Sequence, residues 1–281
     1  MTDDALARAI DEAARDLPYP DGRPGRFLDM AAVAALAGRF GLPPRHVEIA
    51  ALGAGICPLR YARNLRAFTM AEQARLLASR AALVGLGGLG GGLVENLVRA
   101  GVGIVRAADG DVFEETNLNR QLLSCQATLG APKAVAAAAR AAAVNPSVAF
   151  TAHAGFLDEA GMAALLAGAD VAVDALGGLA DRPALVAAAR SRNVPLVTGA
   201  VAGYTAIVAT VRPGEPSPSE IFGGSGPAAE DVLGCPSPAV MAVAALMAAE
   251  AIRLLAGRPP ALAGKALIVD LETMHFDTVS F

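Results

Sequence analysis

Apolar positions between Ala5 and Leu17 recur at intervals of three and four, which predicts a helix; Pro18, Pro20, Gly22, Pro24 and Gly25 then break the pattern. A second helix is predicted around Met30 to Phe40, stopped by Gly41-Leu42-Pro43-Pro44, and a third, short one from His46 to Leu52. Residues 1–58 therefore read as a small helical appendage. Helix, glycine-containing turn and helix also outline a DNA-reading motif, but the segment His46 to Leu52 carries no arginine or amide to reach a base edge. Packing or dimerisation is the expected role.

From Leu59 onward short apolar runs alternate with helical periods. A helix is expected at Thr69 to Ser79, a strand at Ala81 to Val84, a helix at Gly91 to Ala100 and a strand at Gly103 to Ala108. Then follow a helix at Ala131 to Val144, a strand at Val148 to Ala152, a helix at Glu159 to Ala167, a strand at Asp170 to Val173 and a helix at Arg182 to Arg192. A strand pair at Pro195 to Val211, a helix at Ala239 to Leu255 and a final strand at Ala266 to Asp270 complete the pattern. Such alternation predicts an α/β fold over 59–281, a Rossmann-like, mostly parallel sheet with helices on both faces. The Pro- and Gly-rich stretch from Arg212 to Gly234 interrupts it, and a long loop of that kind is where function often sits.

Composition narrows the class. The 281 residues include 65 alanines and 30 glycines, and mean hydropathy is positive. The longest uncharged stretch, Asn193 to Val211, is long enough to span a bilayer, yet Pro195, Gly199 and Gly203 divide it, and two buried strands joined by a turn explain it without a membrane. The first residues, MTDDALARAIDE, have neither a basic nor an apolar leader region, so a cytoplasmic protein is expected. Net charge is −4 and the basic residues are scattered, which argues against a nucleic-acid groove. Lysine occurs only at 133 and 265, against 21 arginines. Cys57, Cys125 and Cys235 are far apart, and no Cys-x-x-Cys occurs, which excludes a disulfide framework or a Cys-rich zinc site.

The strand at Ala81 to Val84 runs into Gly85-Leu86-Gly87-Gly88-Leu89-Gly90. A strand ending in G-x-G-x-x-G and entering a helix lets backbone approach a phosphate while the helix N-terminus offers unpaired N–H groups. Asp109, at the end of the next strand, stands where an acidic side chain can bond both ribose hydroxyls. These features alone would serve a nicotinamide-dependent oxidoreductase as well. The residues that follow separate the cases: Asn117-Leu118-Asn119-Arg120-Gln121 and Gly130-Ala131-Pro132-Lys133 gather donors that a dehydrogenase has no reason to place beside its ribose site. Arg120 can grip phosphate oxygens with a planar fork and Lys133 can meet them as a compact charge. Upstream, Arg60-Tyr61-Ala62-Arg63 precedes the nucleotide fold and can deliver Arg63 to a phosphate.

Taken in order, Arg60-Tyr61-x-Arg63, Gly85 to Gly90, Asp109-Gly110-Asp111, Asn117-Leu118-x-Arg120-Gln121 and Gly130-x-Pro132-Lys133 resemble the ThiF/MoeB/HesA-type adenylating enzymes of ubiquitin-like and sulfur-carrier proteins. Gly234-x-x-x-Pro238 and the helix through Ala248-Ala249-Glu250-Ala251-Ile252 continue the resemblance, which spans roughly Leu59 to Phe281. It implies activation of a carrier protein's C-terminal Gly-Gly carboxylate by ATP and Mg²⁺, giving an acyl-adenylate and pyrophosphate. It further implies that Gly85, Gly87, Gly88, Gly90 and Asp111 line the nucleotide site, that Asp109 holds the ribose, and that Asn117, Arg120 and Lys133 hold the phosphates. Arg63 would reach the γ-phosphate across a homodimer interface.

Two departures from the family pattern stand out. The family has Asp-x-x-Asp after the fourth strand, its second Asp on Mg²⁺, whereas this chain reads Asp174-Ala175-Leu176-Gly177. Asp174 is expected among the catalytic residues, with Arg63, Arg120 and Lys133, and either Asp174 or Asp181 as the metal ligand; the alternative is a non-catalytic nucleotide- and carrier-binding member that lost turnover with Gly177. Gly214-Glu215-Pro216 is followed by Ser217-Pro218-Ser219-Glu220 where many bacterial members begin a Cys-x-x-Cys pair, so no zinc is expected. Cys235, after the Pro/Gly loop, is the candidate for any thiol chemistry, with a core-packing role as its alternative.

Overall fold

The computed structural model describes residues 3–221 and 229–280. The N-terminal region contains α1 (Asp3–Ala13), β1 (Arg15–Pro18), β2 (Pro24–Leu28), α2 (Met30–Phe40), α3 (Pro44–Gly53) and β3 (Cys57–Pro58). Asp29 caps α2 by accepting from the Ala32 N–H, and Gly41 ends it in the left-handed conformation. Where the spacing predicts helix through Leu17, the chain instead turns into a hairpin, Arg15 to Pro18 pairing antiparallel with Pro24 to Phe27. The prolines that break the helical pattern sit at the end of this ribbon. Tyr19 N–H bonds the Arg23 carbonyl at 2.7 Å, and the Tyr19 ring meets Phe27 edge-on at 4.7 Å. A three-stranded sheet, β1-β2-β3, thus joins the predicted helices.

The rest is built from α4 (Met70–Ala78), β4 (Arg80–Val84), α5 (Gly88–Ala100), β5 (Ile104–Asp109), α6 (Lys133–Val144), β6 (Ala149–Ala154), α7 (Glu159–Leu165), β7 (Val171–Asp174) and α8 (Arg182–Arg192). There follow β8 (Leu196–Ala202), β9 (Thr205–Val211), the short α9 (Pro218–Ile221) and α10 (Ala229–Leu233), α11 (Ser237–Leu255), β10 (Lys265–Asp270) and β11 (His275–Ser280). The eight strands run in the order β11-β10-β9-β8-β7-β4-β5-β6. From β8 to β6 every pairing is parallel; from β8 to β11 every pairing is antiparallel. The sheet is therefore mixed, with the parallel half in the predicted place and a last strand, β11, that periodicity does not reveal. All six residues of β11 are exposed, so no buried alternate face marks it in the sequence.

Strand alternation explains the layering. Ala81, Leu83, Val171 and Val173 point to a core shared with α5, α6 and α11, while Ala82, Val84 and Ala172 point to a second core under α7 and α8. Each fully buried Leu or Val contributes roughly 1.5–3 kcal/mol of transfer free energy, so both faces need their helices. The apolar α11 is long enough to cross a membrane by composition, but residues such as Val243, Ala244 and Met247 lie in the first core. Its one buried acid, Glu250, accepts from the Thr210 hydroxyl and from the Ala261 and Leu262 N–H groups, tying α11 to β9 and the turn before β10. Leu52, Tyr61 and Leu77 form a small cluster that joins α3 to α4.

Candidate functional site

In the sheet order, β4 lies between β5 and β7, so the chain leaves β4 in opposite directions on its two sides. Ligands of open α/β sheets bind at the carboxyl ends of the strands at such a reversal. A cleft of about 680 Å³ opens there, lined from β4 by Val84, from the β5 end by Asp109 and from β8 by Ala200 and Val201.

The glycine run makes its floor. Gly85 adopts φ +97°, and a Cβ on it would stand 2.3 Å from the Ala175 carbonyl oxygen. A Cβ on Gly90 would stand 2.2 Å from the carbonyl oxygen of Gly85, so these two glycines permit the strand, the turn and the helix to meet. Gly87 and Gly88 line the cleft. Helix α5 begins at Gly88, three residues earlier than the sequence pattern predicts, which aims the unpaired N–H groups of its first turn at the cleft.

Asp109 accepts the Leu86 N–H at 2.6 Å on one carboxylate oxygen and the Asp111 N–H at 2.8 Å on the other. It thereby locks the glycine loop to the end of β5. The following loop returns to the same place: the Phe113 N–H bonds the Ala131 carbonyl, and Val112 bridges Pro132. This brings Lys133, 6% exposed, to the cleft wall, where its ammonium pairs with Asp111 at 2.9 Å. Asn117 is buried and accepts the Glu114 N–H; Arg120, anchored by the Thr116 carbonyl and the Asn119 side chain, lines the cleft beside it. Gln121 is a residue that sequence reasoning did not assign. Its side chain lies next to Gly87, and its buried Oε1 has no hydrogen-bond partner.

Asp174 and Asp181, the two expected alternatives for a metal, separate here. Asp174 is 2% exposed and both its oxygens are engaged: one by the Leu176 N–H, the other by Arg182 and the Thr198 hydroxyl, each at 2.7 Å. Arg182, also buried, spends its remaining donors on the carbonyls of Gly178, Leu176 and Gly199. This buried pair fixes the loop between β7 and α8, a positioning role that the sequence did not disclose. Asp181 lines the cleft and forms no ion pair among the described residues. Glu230, from α10, also lines the cleft.

Arg63 is exposed and does not line this cleft. Its neighbours Arg60 and Tyr61 are structural: Arg60 faces the buried Glu48 at 3.3 Å, and the Tyr61 hydroxyl accepts from Asn145 at 2.9 Å. Cys235 does line the cleft; burial pushes its thiol pKa up against the opposing pull of Arg120, which keeps it protonated near neutrality. Cys57 is buried and its thiol is pushed up to about 12, whereas Cys125 is exposed on the surface. Ser217, where the family pattern would begin its Cys-x-x-Cys pair, hydrogen-bonds Ser219 at 3.0 Å. Of the long loop predicted from Arg212 to Gly234, residues 222–228 lie outside the described residues.

The donor set fits a nucleoside triphosphate with its divalent cation. Two cations, a helix N-terminus and an orphaned amide converge with Asp109 and with two carboxylates, Asp181 and Glu230, that lack a cationic partner among the described residues. Comparison with known proteins agrees with this geometry. The sequence model of the ThiF family matches residues 61–281. The molybdopterin-synthase adenylyltransferase of Escherichia coli K12 is 37% identical over 78% of this chain and 90% of that protein. The SAMP-activating enzyme E1 of Haloferax volcanii is 35% identical over 74% and 79% respectively. Among solved structures, PaaA matches with a TM-score of 0.68 at 20% identity, covering 96% of this chain and 98% of its own. The Escherichia coli MccB–ATP complex matches with 0.66 at 19%, covering 79% and 70%. At those identities the two structures speak for the fold.

Proposed function

The chain belongs to the ThiF family, and from that premise we propose that it is an ATP-dependent adenylyltransferase acting on the C-terminal Gly-Gly carboxylate of a small ubiquitin-like or sulfur-carrier protein. The observation that carries the reading is the convergence of Lys133, Arg120 and Asn117 on the N-terminus of α5 in one cleft. The base and ribose enter along the β5 side, where Asp109 and the neighbouring Phe156, 78% exposed, border the opening. The phosphates lie against Gly87, Gly88, Asn117, Arg120 and Lys133.

The carrier's terminal carboxylate oxygen attacks the α-phosphorus, the bond to the bridging oxygen breaks, and pyrophosphate departs with the negative charge. Lys133 and Arg120 stabilise that growing charge from fixed positions, so little reorganisation is needed at the moment of reaction. Lys133 is held in place by Asp111 and by its backbone bond to the Asp111 carbonyl. Mg²⁺, when bound, neutralises phosphate charge and orients the leaving group. Asp174 is spent on Arg182, which leaves Asp181 and Glu230 as the cleft carboxylates that would be free to hold it. Arg63 is exposed and does not line its own cleft, which supports the reading that it would serve the site of a second copy in a homodimer.

Exchange of pyrophosphate into ATP tests the reading. It should require a carrier ending in Gly-Gly, and its absence with every such carrier from the same genome contradicts the proposal.

A further inference from the structure

The carboxylates of the cleft are not equivalent. Asp109 is consumed by two backbone N–H groups, Asp111 by Lys133 and Asp174 by Arg182. Two remain without a cation among the described residues, Asp181 and Glu230. Only Glu230 is fixed in position: its Oε1 accepts the Gly178 N–H at 2.5 Å, a contact between segments 52 residues apart.

Glu230 also lies beside Gly177. Gly177 is not among the residues with positive φ, so its backbone does not demand glycine. Among the described residues packing does not demand it either, because the only atom of theirs within 4 Å of a Cβ built there is Glu230 Oε1, at 3.9 Å. What the missing side chain creates is room for a carboxylate arriving from another element. Helix α10 delivers it, and α10 is itself anchored: the Gly234 N–H bonds the Glu230 carbonyl, and the Gly234 carbonyl accepts from Gly203 beside β8. A hard divalent cation on a triphosphate needs an oxygen ligand from the protein, and a carboxylate already held by a backbone N–H presents one at little conformational cost.

We propose that Glu230 is the carboxylate ligand for the divalent cation of the bound nucleotide, occupying from α10 the space left open by Gly177. The inference rests on the reading of the cleft as an ATP site. Binding of a non-hydrolysable ATP analogue to the full chain, measured by calorimetry with and without Mg²⁺ and by the paramagnetic resonance of Mn²⁺, tests it apart from turnover. Glu230→Gln keeps the shape and the bond from Gly178 while removing the charge. It should weaken metal binding in the ternary complex by about 10- to 100-fold, with the affinity for metal-free nucleotide unchanged. Gly177→Asp combined with Glu230→Ala returns a carboxylate to the same space and should restore the metal dependence. A Glu230→Gln protein with wild-type metal affinity overturns the assignment and leaves the ATP site standing. A double variant that stays as weak as Glu230→Gln overturns the claim that the two positions share one space. A wild-type protein that binds no ATP analogue overturns the functional reading itself, and this inference with it.

Discussion

Single residues in this cleft divide into those that meet a phosphate and those that hold others still. Lys133→Ala or Arg120→Ala should lower pyrophosphate exchange on the order of a hundredfold or more. The thermal transition should stay in place, because Asp111, more than half exposed, rehydrates when its partner is removed. An unchanged rate would contradict the phosphate assignment. Arg182→Met should act oppositely, destabilising the protein by about 3–5 kcal/mol in urea denaturation, since it strands the buried Asp174 carboxylate. A near-native denaturation midpoint would show that the pair does not hold the loop. Lys133 was readable from the sequence because lysine is so scarce that one beside the nucleotide motifs draws notice. The work of Arg182 was not, since it consists of five hydrogen bonds to partners on two segments, 174–178 and 198–199. Glu230 was hidden for a related reason: it lies in a Pro- and Gly-rich stretch with no period, and only folding sets it against Gly177.

Elements with local start and stop signals were legible almost residue by residue. Thr69 caps α4 in a reciprocal box with Glu72, and Asn193 ends α8 in the left-handed conformation. Elements without such signals were not. Arg15–Pro18 reads as helix until Pro24–Leu28 pairs with it, and β11 is held by one neighbour, β10, with every residue exposed. The α4 cap carries its own pH signature. Hydrogen bonding from Arg258, with further help from the Thr69 N–H, draws the Glu72 carboxyl from an ordinary 4.5 down to about 2. A carboxylate with a depressed folded value stabilises the protein above its unfolded value, and that contribution fades as pH falls through the folded one. Glu72→Gln should therefore be less stable than wild type near pH 6, the two converging as pH approaches 2 in an acid titration followed by circular dichroism. A gap that persists at low pH would mean that the carboxylate charge is not what matters.

For the whole molecule, the parallel half of the sheet builds the nucleotide cleft and the antiparallel half extends it, with the α3–α4 contact joining the N-terminal region to the side of the sheet. Arg63 is exposed and does not line its own cleft, and the proposed homodimer has it serve the cleft of a second copy. Mixing Arg63→Ala with Lys133→Ala protein should then recover part of the exchange activity that each lacks alone, as hybrid dimers pair an intact Arg63 with an intact cleft. No recovery after subunit mixing would place Arg63 outside the reaction. The central claim, that this cleft joins adenylate to a carrier carboxylate despite glycine at 177, is tested most directly by intact-mass spectrometry. The protein would be incubated with ATP, Mg²⁺ and a Gly-Gly-terminated carrier in the absence of any sulfur donor. The account predicts a carrier heavier by one adenylyl group, formed only when the terminal Gly-Gly is intact and absent with Lys133→Ala. ATP and carrier that bind with no adenylated carrier and no pyrophosphate released would contradict it, and would mark the protein as a binding member that has lost turnover.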